Sequence, residues 1–265
     1  MTIGIVGCGN LGFSLLNGIR KKDENVQIIG SKRTINDLQA LNLPNTQFTS
    51  SNKELIEHAD IVIIALKPYN VLNFLEEFKA DFKANKHTIV SVASGVTISE
   101  MASVLGEEFD IYRAMPNTAA AVSESMTAIS IKSDQLNRKA EVVGLFESMG
   151  EAIIIDETLM ESATILGACG IAYVLRFIRA MIQGGIEVGF DAKTATKIVS
   201  QTVKGAAELL IQNGTHPEEE IDKVTTPKGC TIVGLNEMEH SGFSSALIKG
   251  IVTSYEKIEK KYSMK

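Results

Sequence analysis

Cysteine is scarce in this chain and falls in no pattern. Cys8, Cys169 and Cys230 are odd in number and far apart, which fits neither a disulfide framework nor a zinc site. The four histidines, His58, His87, His216 and His240, form no spaced cluster; they read as surface or capping groups, and no metal is assigned. Basic charge is not in excess: 26 Lys and Arg stand against 32 Asp and Glu, and the net charge of −6 argues against nucleic acid as a partner. No apolar run approaches the ~20 residues of a membrane span. Ile3–Val6 is too short for the apolar core of a signal peptide and no basic segment precedes it, so the expectation is a cytoplasmic protein with no membrane partner. Internal repeats and low-complexity tracts are also missing. Glu218-Glu219-Glu220 and the lysine-rich end from Lys257 read as solvated faces.

What remains is an ordinary globular composition, 45% hydrophobic and 22% charged, in 265 residues, enough for two modest domains. The first part alternates short β-branched runs with helical stretches, the pattern of a parallel sheet wrapped by helices. Strands are predicted at Thr2–Val6, Val26–Gly30, Ile61–Leu66, Thr88–Val92, Ile111–Ala114, Met126–Ile131 and Ala152–Ile155. Helices are predicted at Leu11–Lys22, Ile35–Leu41, Lys53–His58, Val71–Phe82, Ile98–Leu105 and Gln135–Ser148. From Glu157 the strand runs vanish. Leu159–Gly189, Ala192–Asn213, Pro227–His240 and Ser244–Lys261 carry the 3.6-residue period of helices. The fold class is therefore α/β: a Rossmann-like parallel-sheet domain over residues 1–156, followed by an all-α domain over 157–265.

The first predicted strand runs directly into Gly7-Cys8-Gly9-Asn10-Leu11-Gly12, a G-x-G-x-x-G between strand and helix. In that setting the first glycine permits a tight turn, the second lets backbone approach a pyrophosphate, and the third lets helix and sheet pack closely. Amides at the helix start would hold the phosphates. Sites that prefer NAD carry an acid about 20 residues further on. None stands there; the second strand leads instead into Ser31-Lys32-Arg33-Thr34, a hydroxyl and two cations suited to a 2′-phosphate. The expected cofactor is NADP(H) in preference to NAD(H), with two unremarkable surface cations as the competing reading. Asn52 is assigned to the same side. Ala65-Leu66-Lys67-Pro68 and Ala93-Ser94-Gly95-Val96-Thr97 follow later strands at the carboxyl edge, where open α/β sheets bind ligands, and should border the nicotinamide half. Pro68 keeps Lys67 out of a helix, which either aims its side chain into the crevice or simply marks a sharp turn.

Residues 222–234 read Asp-Lys-Val-Thr-Thr-Pro-Lys-Gly-Cys-Thr-Ile-Val-Gly. Thr226 before Pro227 reads as a hydroxyl N-cap with proline at the first helical position. Free amides around Gly229, Cys230 and Thr231 then make either a carboxylate site or an ordinary capped helix.

Val224-Thr225-Thr226-Pro227-Lys228-Gly229-Cys230-Thr231 resembles the signature loop of pyrroline-5-carboxylate reductases, usually V-T/S-S-P-G-G-T-T. Ala65-Leu66-Lys67-Pro68 is similar to that family's A-V-K-P, Ser94-Gly95-Val96-Thr97-Ile98 to its A-G-V-T-I, and Met115-Pro116-Asn117-Thr118 to its M-P-N-T. His216-Pro217 before the loop and Ser241-Gly242-Phe243 after it also match, and the likeness runs from Thr2 to about Tyr255. The resemblance implies reduction of the cyclic imino acid 1-pyrroline-5-carboxylate to L-proline by NAD(P)H, the last step of proline biosynthesis. It also implies that the Thr231 hydroxyl sits near the ring nitrogen and that the amides of Gly229, Cys230 and Thr231 hold the carboxylate. A homodimer through the helical domain follows from it too, with higher homo-oligomers left open. Two departures stand out: Lys228 replaces the loop's first glycine, and a motif usually S-G-S-G-P-A-Y reads Gly167-Ala168-Cys169-Gly170-Ile171-Ala172-Tyr173. Lys228 either adds a cation beside the carboxylate or points to solvent. Cys169 and Cys230 either face the site or are small buried thiols.

Two other readings compete. A β-hydroxyacid dehydrogenase would resemble its family in a catalytic lysine on the first long helix of the second domain, yet no lysine lies between Lys139 and Lys193. Arg176 and Arg179, one turn apart there, cannot donate a proton near neutral pH and read as structural, with Glu187 or Glu161 as partners. A catalytically idle, NADP-binding regulatory relative is the other reading; retention of Gly229 and Thr231 favours an enzyme.

Overall fold

Side chains alternate across a strand, so a strand without polar positions must be covered on both faces. The computed structural model, which describes residues 1–263, has eight strands in one sheet: β1 (Thr2–Val6), β2 (Gln27–Ser31), β3 (Thr46–Thr49), β4 (Ile61–Ile64), β5 (Thr88–Ser91), β6 (Asp110–Met115), β7 (Ser125–Ile131) and β8 (Gly150–Ile154). Their order is β3-β2-β1-β4-β5-β6-β7-β8. The strands from β1 to β6 pair in parallel, β7 runs antiparallel to β6, and β8 is parallel to β7. The order reverses beside β1, and the crevice between β1 and β4 is the switch point where such sheets bind ligands.

Alternation divides the core. Ile3, Ile5, Ile61, Ile63, Tyr112 and Ala114 pack with Leu15, Leu16, Val142 and Phe146 on one face. Val6, Val62, Ile64, Ile89 and Ile111 pack with Leu55, Val71, Leu75, Met101 and Leu105 on the other. The covering helices are Asn10–Lys22 and Lys139–Glu147 on the first face, and Asn52–His58, Pro68–Glu77 and Ile98–Leu105 on the second. One strand, β3, is missing from the sequence reading: Thr46–Thr49 is short, polar and entered through Asn42 and Asn45 at positive φ.

Helices follow β8, including Gly170–Glu187, Ala192–Asn213, Pro217–Lys223, Cys230–His240 and Phe243–Ser263. The fold is thus a mostly parallel Rossmann-like domain followed by a helical domain. The chain forms two compact units, Met1–Cys169 with residues 257–263, and Gly170–Glu256. The first extends past Asp156 because Glu157 and Glu161 are bonded to Arg113 of β6. The turn between them carries the short 3-10 helix Glu157–Leu159, and a six-residue π-helix, Thr164–Cys169, precedes Gly170.

Two expectations need correction. The helical run Glu157–Glu187 is long and apolar enough, by length and composition, to cross a membrane, and almost none of it is buried in the single chain. The arginines and glycines that break it up as a sequence are tolerated in a helix. His87 is not a surface group but is 1% exposed at the start of β5. Its Nδ1 accepts from the Lys83 amide at 2.8 Å, so Nε2 carries the proton and donates to the Ile56 carbonyl at 3.0 Å.

Burial first, and then the nearby Lys86 charge, lower the His87 pKa from 6.5 to about 4. The unfolded chain therefore binds the extra proton between those values, and stability present above pH 6.5 falls as pH drops towards 4, by about 3 kcal/mol in all. Urea midpoints at pH 7 and pH 5 should show about 2 kcal/mol of this loss, and His87→Gln, which does not titrate, should remove that share of the slope.

Candidate active site

A strand that ends on glycine can leave the sheet where other residues cannot. Gly7 has φ of +93°, and a Cβ on it would stand 2.8 Å from the Ala65 carbonyl oxygen. Helix Asn10–Lys22 then starts so close to the turn that a Cβ on Gly12 would lie 2.4 Å from the Gly7 oxygen. Gly9 differs: a Cβ there would meet nothing within 4 Å, so its surface is open. Gly9 is the N-cap and no side chain caps the helix. This is a cradle of backbone amides with room for a phosphate, and it fits a dinucleotide. Asn10 and Leu11 are the first residues of that helix. The Cys8 side chain turns inward, 2% exposed, burial pushes its thiol up to about 12, and its amide donates to the Ser31 carbonyl at 2.8 Å, which leaves the amides of the first helical turn for a ligand.

The structure brings Ser31 and Asn52 together, with Ser31 Oγ donating to Asn52 Oδ1 at 2.7 Å. Ser31 is buried, so its hydroxyl is committed to Asn52; Lys32 and the exposed Arg33 remain as cations beyond β2. Lys32 stands 3.8 Å from Asp37, a surface pair of little energetic weight. Lys67 is exposed and extended, the N-cap of helix Pro68–Glu77 with Pro68 at its first position. That helix starts three residues before the expected Val71 because proline suits the first turn. Ala65 follows β4, its amide donating to the Val6 carbonyl at 2.8 Å. Ser94 and Gly95 lie in the turn after β5, Gly95 buried with φ of +66°.

In the second unit, Thr226 and Pro227 do not start the helix. The Gly229 amide donates to the Thr226 carbonyl at 2.9 Å, and Lys228 has φ of +60°. That is the pattern of a type II turn, with proline at its second position and a left-handed residue at its third. The local Thr-Pro signal served the turn, and the helix begins at Cys230 with Gly229 as N-cap and no side-chain cap. The Gly229 amide is thus already bonded, and the amides that face outward are those of Cys230 and Thr231. A side chain on Gly229 would crowd the turn, since its Cβ would lie 2.6 Å from Thr226 Oγ1 and 3.0 Å from the Thr226 carbonyl oxygen, so Thr226 would have to shift. Cys230 and Thr231 are both exposed, whereas Cys169 is half-buried.

Asn117, Arg113 and Glu157 are given no role in the site by the sequence reading. Asn117 accepts from the Ala119 amide at 2.9 Å and donates to the Gly167 carbonyl at 3.2 Å, tying the turn after β6 to Gly167 within the first unit. Buried Arg113 pairs with the half-buried Glu157, for which the only sequence signal is an arginine inside the apolar strand Ile111–Met115. Glu161 belongs to Arg113 rather than to Arg176 or Arg179, which are exposed and without an ion pair among the described residues. No group of three His, Cys, Asp or Glu among the described residues is placed to hold a metal ion.

A family model described as pyrroline-5-carboxylate reductase dimerisation matches residues 157–261, and one described as NADP oxidoreductase, coenzyme F420-dependent, matches residues 2–95. The first unit is accordingly an NADP-binding oxidoreductase domain. The chain is 44% identical to pyrroline-5-carboxylate reductase 2 of Dictyostelium discoideum, covering 97% of this chain and 92% of that one. It is 43% identical to reductase 1 of the same organism, over 99% of this chain, but spans only 50% of that longer protein. Among solved structures, Plasmodium falciparum pyrroline carboxylate reductase with NADP bound superposes with a TM-score of 0.89 at 26% identity, covering 98% of this chain and 97% of that one. The reductase of Streptococcus pyogenes gives 0.87 at 28% identity, covering 98% of each chain.

A left-handed lysine costs ~1–2 kcal/mol that glycine avoids, less ~0.5–1 kcal/mol for the extra freedom of glycine in the unfolded chain. Lys228→Gly is therefore expected to raise the urea midpoint slightly; a clear fall would mean that the lysine side chain holds the turn by contacts of its own.

Proposed function

The chain belongs to the pyrroline-5-carboxylate reductase family, and on that premise we propose that it reduces the C=N bond of 1-pyrroline-5-carboxylate to give L-proline, with NADPH preferred to NADH. Near full-length identity of 44% to a reductase of similar length carries this reading. NADPH, when bound, supplies the hydride. The amides at the start of helix Asn10–Lys22 hold the pyrophosphate, and Lys32 and Arg33 favour a 2′-phosphate through charge-assisted hydrogen bonds. The turns at Ala65–Pro68 and Ser94–Gly95 border the nicotinamide half.

On the substrate side, the amides of Cys230 and Thr231 receive the carboxylate. The Thr231 hydroxyl bonds the ring nitrogen and keeps the imine oriented while that nitrogen carries its proton. A cyclic imine is basic enough to be protonated before reduction, so orientation matters more here than a strong general acid. The type II turn at Thr226–Gly229 fixes where that helix begins and so aims both amides and hydroxyl.

The helical domain belongs to the region matched by the dimerisation model, and the chain is a homo-oligomer by family. We propose a homodimer through these helices. Exposed Phe177, Leu209, Val233, Leu247 and Ile248 support it, as does a helix Gly170–Glu187 with no buried residue in the single chain. A face this apolar needs a cover, and a second copy supplies one of matching chemistry.

Steady-state kinetics with pyrroline-5-carboxylate test the cofactor and the catalytic assignment separately. Arg33→Ala should lower kcat/KM for NADPH about tenfold and leave the NADH value unchanged; wild-type kcat/KM for NADH equal to or above that for NADPH would refute the preference. Thr231→Ala should cut kcat/KM for the imine by roughly 10- to 100-fold with an unaltered unfolding midpoint, because the side chain is exposed. Unchanged activity would remove Thr231 from the mechanism.

A further inference from the structure

The turn Ser94–Thr97 joins β5 to helix Ile98–Leu105, and its far end is fixed twice over. A local capping box does the usual work: Thr97 Oγ1 accepts from the Glu100 amide at 3.1 Å, and the Glu100 carboxylate accepts from the Thr97 amide at 2.9 Å. The next amide, of Ile98, donates at 2.7 Å to Glu157 Oε1, from a segment 59 residues further along the chain. The same oxygen accepts from Arg113 Nη1 at 3.1 Å, while Arg113 Nη2 donates to Glu161 Oε1 at 2.7 Å. Arg113 is 2% exposed and lies on β6 in register with Ser91, the last residue of β5.

As a source of stability this arrangement is a poor choice. The helix is already capped by Thr97, and burying a guanidinium beside two half-buried carboxylates costs desolvation that apolar residues would avoid. What it does supply is a single position for the Ile98 amide and so for the turn before it, in which Gly95 is buried at positive φ. We infer that Glu157, oriented by Arg113, is a positioning residue for the nicotinamide half of the cofactor, acting through the Ile98 amide on the Ser94–Thr97 turn. The inference rests on the reading above that this turn borders the nicotinamide. Glu157 touches neither cofactor nor substrate in this role; it removes a freedom of the backbone that does.

The test uses the full-length protein with Glu157→Ala and Glu157→Gln, titrated with NADPH and with the adenosine-side fragments 2′,5′-ADP and 5′-ADP. Glu157→Ala should weaken NADPH about tenfold, lower kcat by a similar factor and enlarge the isotope effect from NADPH carrying deuterium at nicotinamide C4, as hydride transfer from a misplaced ring becomes slower. Fragment binding should stay within about twofold. Glu157→Gln retains an oxygen for the Ile98 amide and should recover most of the loss. NADPH affinity and kcat unchanged in Glu157→Ala would overturn the inference, and so would equal weakening of NADPH and the fragments, which marks general damage. If the wild type binds NADPH but does not reduce pyrroline-5-carboxylate, the functional reading fails while the comparison of NADPH with its fragments still decides the role of Glu157.

Discussion

The end of β1, the start of helix Asn10–Lys22 and the end of β4 share a volume too small for a methyl group. Side chains at Gly7 and Gly12 would collide with the Ala65 and Gly7 carbonyl oxygens respectively, and a Cβ on Gly12 would also touch that of Ala65 at 3.4 Å. This close approach ties the phosphate cradle and the Ala65–Pro68 turn into one rigid piece. The doubly wound sheet makes that possible, since its strand order brings β4 beside β1 with the first helix across one face. Nothing mobile needs to close for the two turns to keep their spacing.

Parts of the fold that depend on local pattern were readable from residues alone. β1 and the helices Ile98–Leu105 and Ala192–Asn213 have the very limits their apolar periods suggest. Where the reading failed, a longer-range or competing local effect had won. Thr226-Pro227 carries a helix-start signal and a turn signal at once, and Lys228 at positive φ decides for the turn. β3 is held by its parallel pairing with β2 rather than by its own composition. His87 looked like one more scattered histidine because both its partners, Lys83 and Ile56, are backbone groups that no residue type announces.

The candidate site was legible to a similar degree. Its glycines and its signature loop stand out as strings, whereas the interactions that orient them cross long stretches of chain. Asn117 reaching Gly167 and Glu157 reaching Ile98 are of this kind. The altered Gly167–Tyr173 motif falls across the π-helix Thr164–Cys169, so a sequence departure coincides with an irregular backbone. The helical unit shows the same dependence on context at a larger scale. Its helices have clear apolar stripes, yet many of those side chains are exposed in a lone chain.

The buried guanidinium also constrains the order in which the molecule can be made. β6 places Arg113 in the sheet, but the two carboxylates that neutralise it are 44 and 48 residues further on. On a growing chain emerging from the ribosome, a sheet closed around Arg113 would hold an unpaired charge, at a cost of several kcal/mol. Closure of the sheet around Arg113 is therefore favoured once the stretch up to Glu161 is present to pair it. A fragment cut after Asp156, at the edge of the sheet, would sever the charge from both of its counterions.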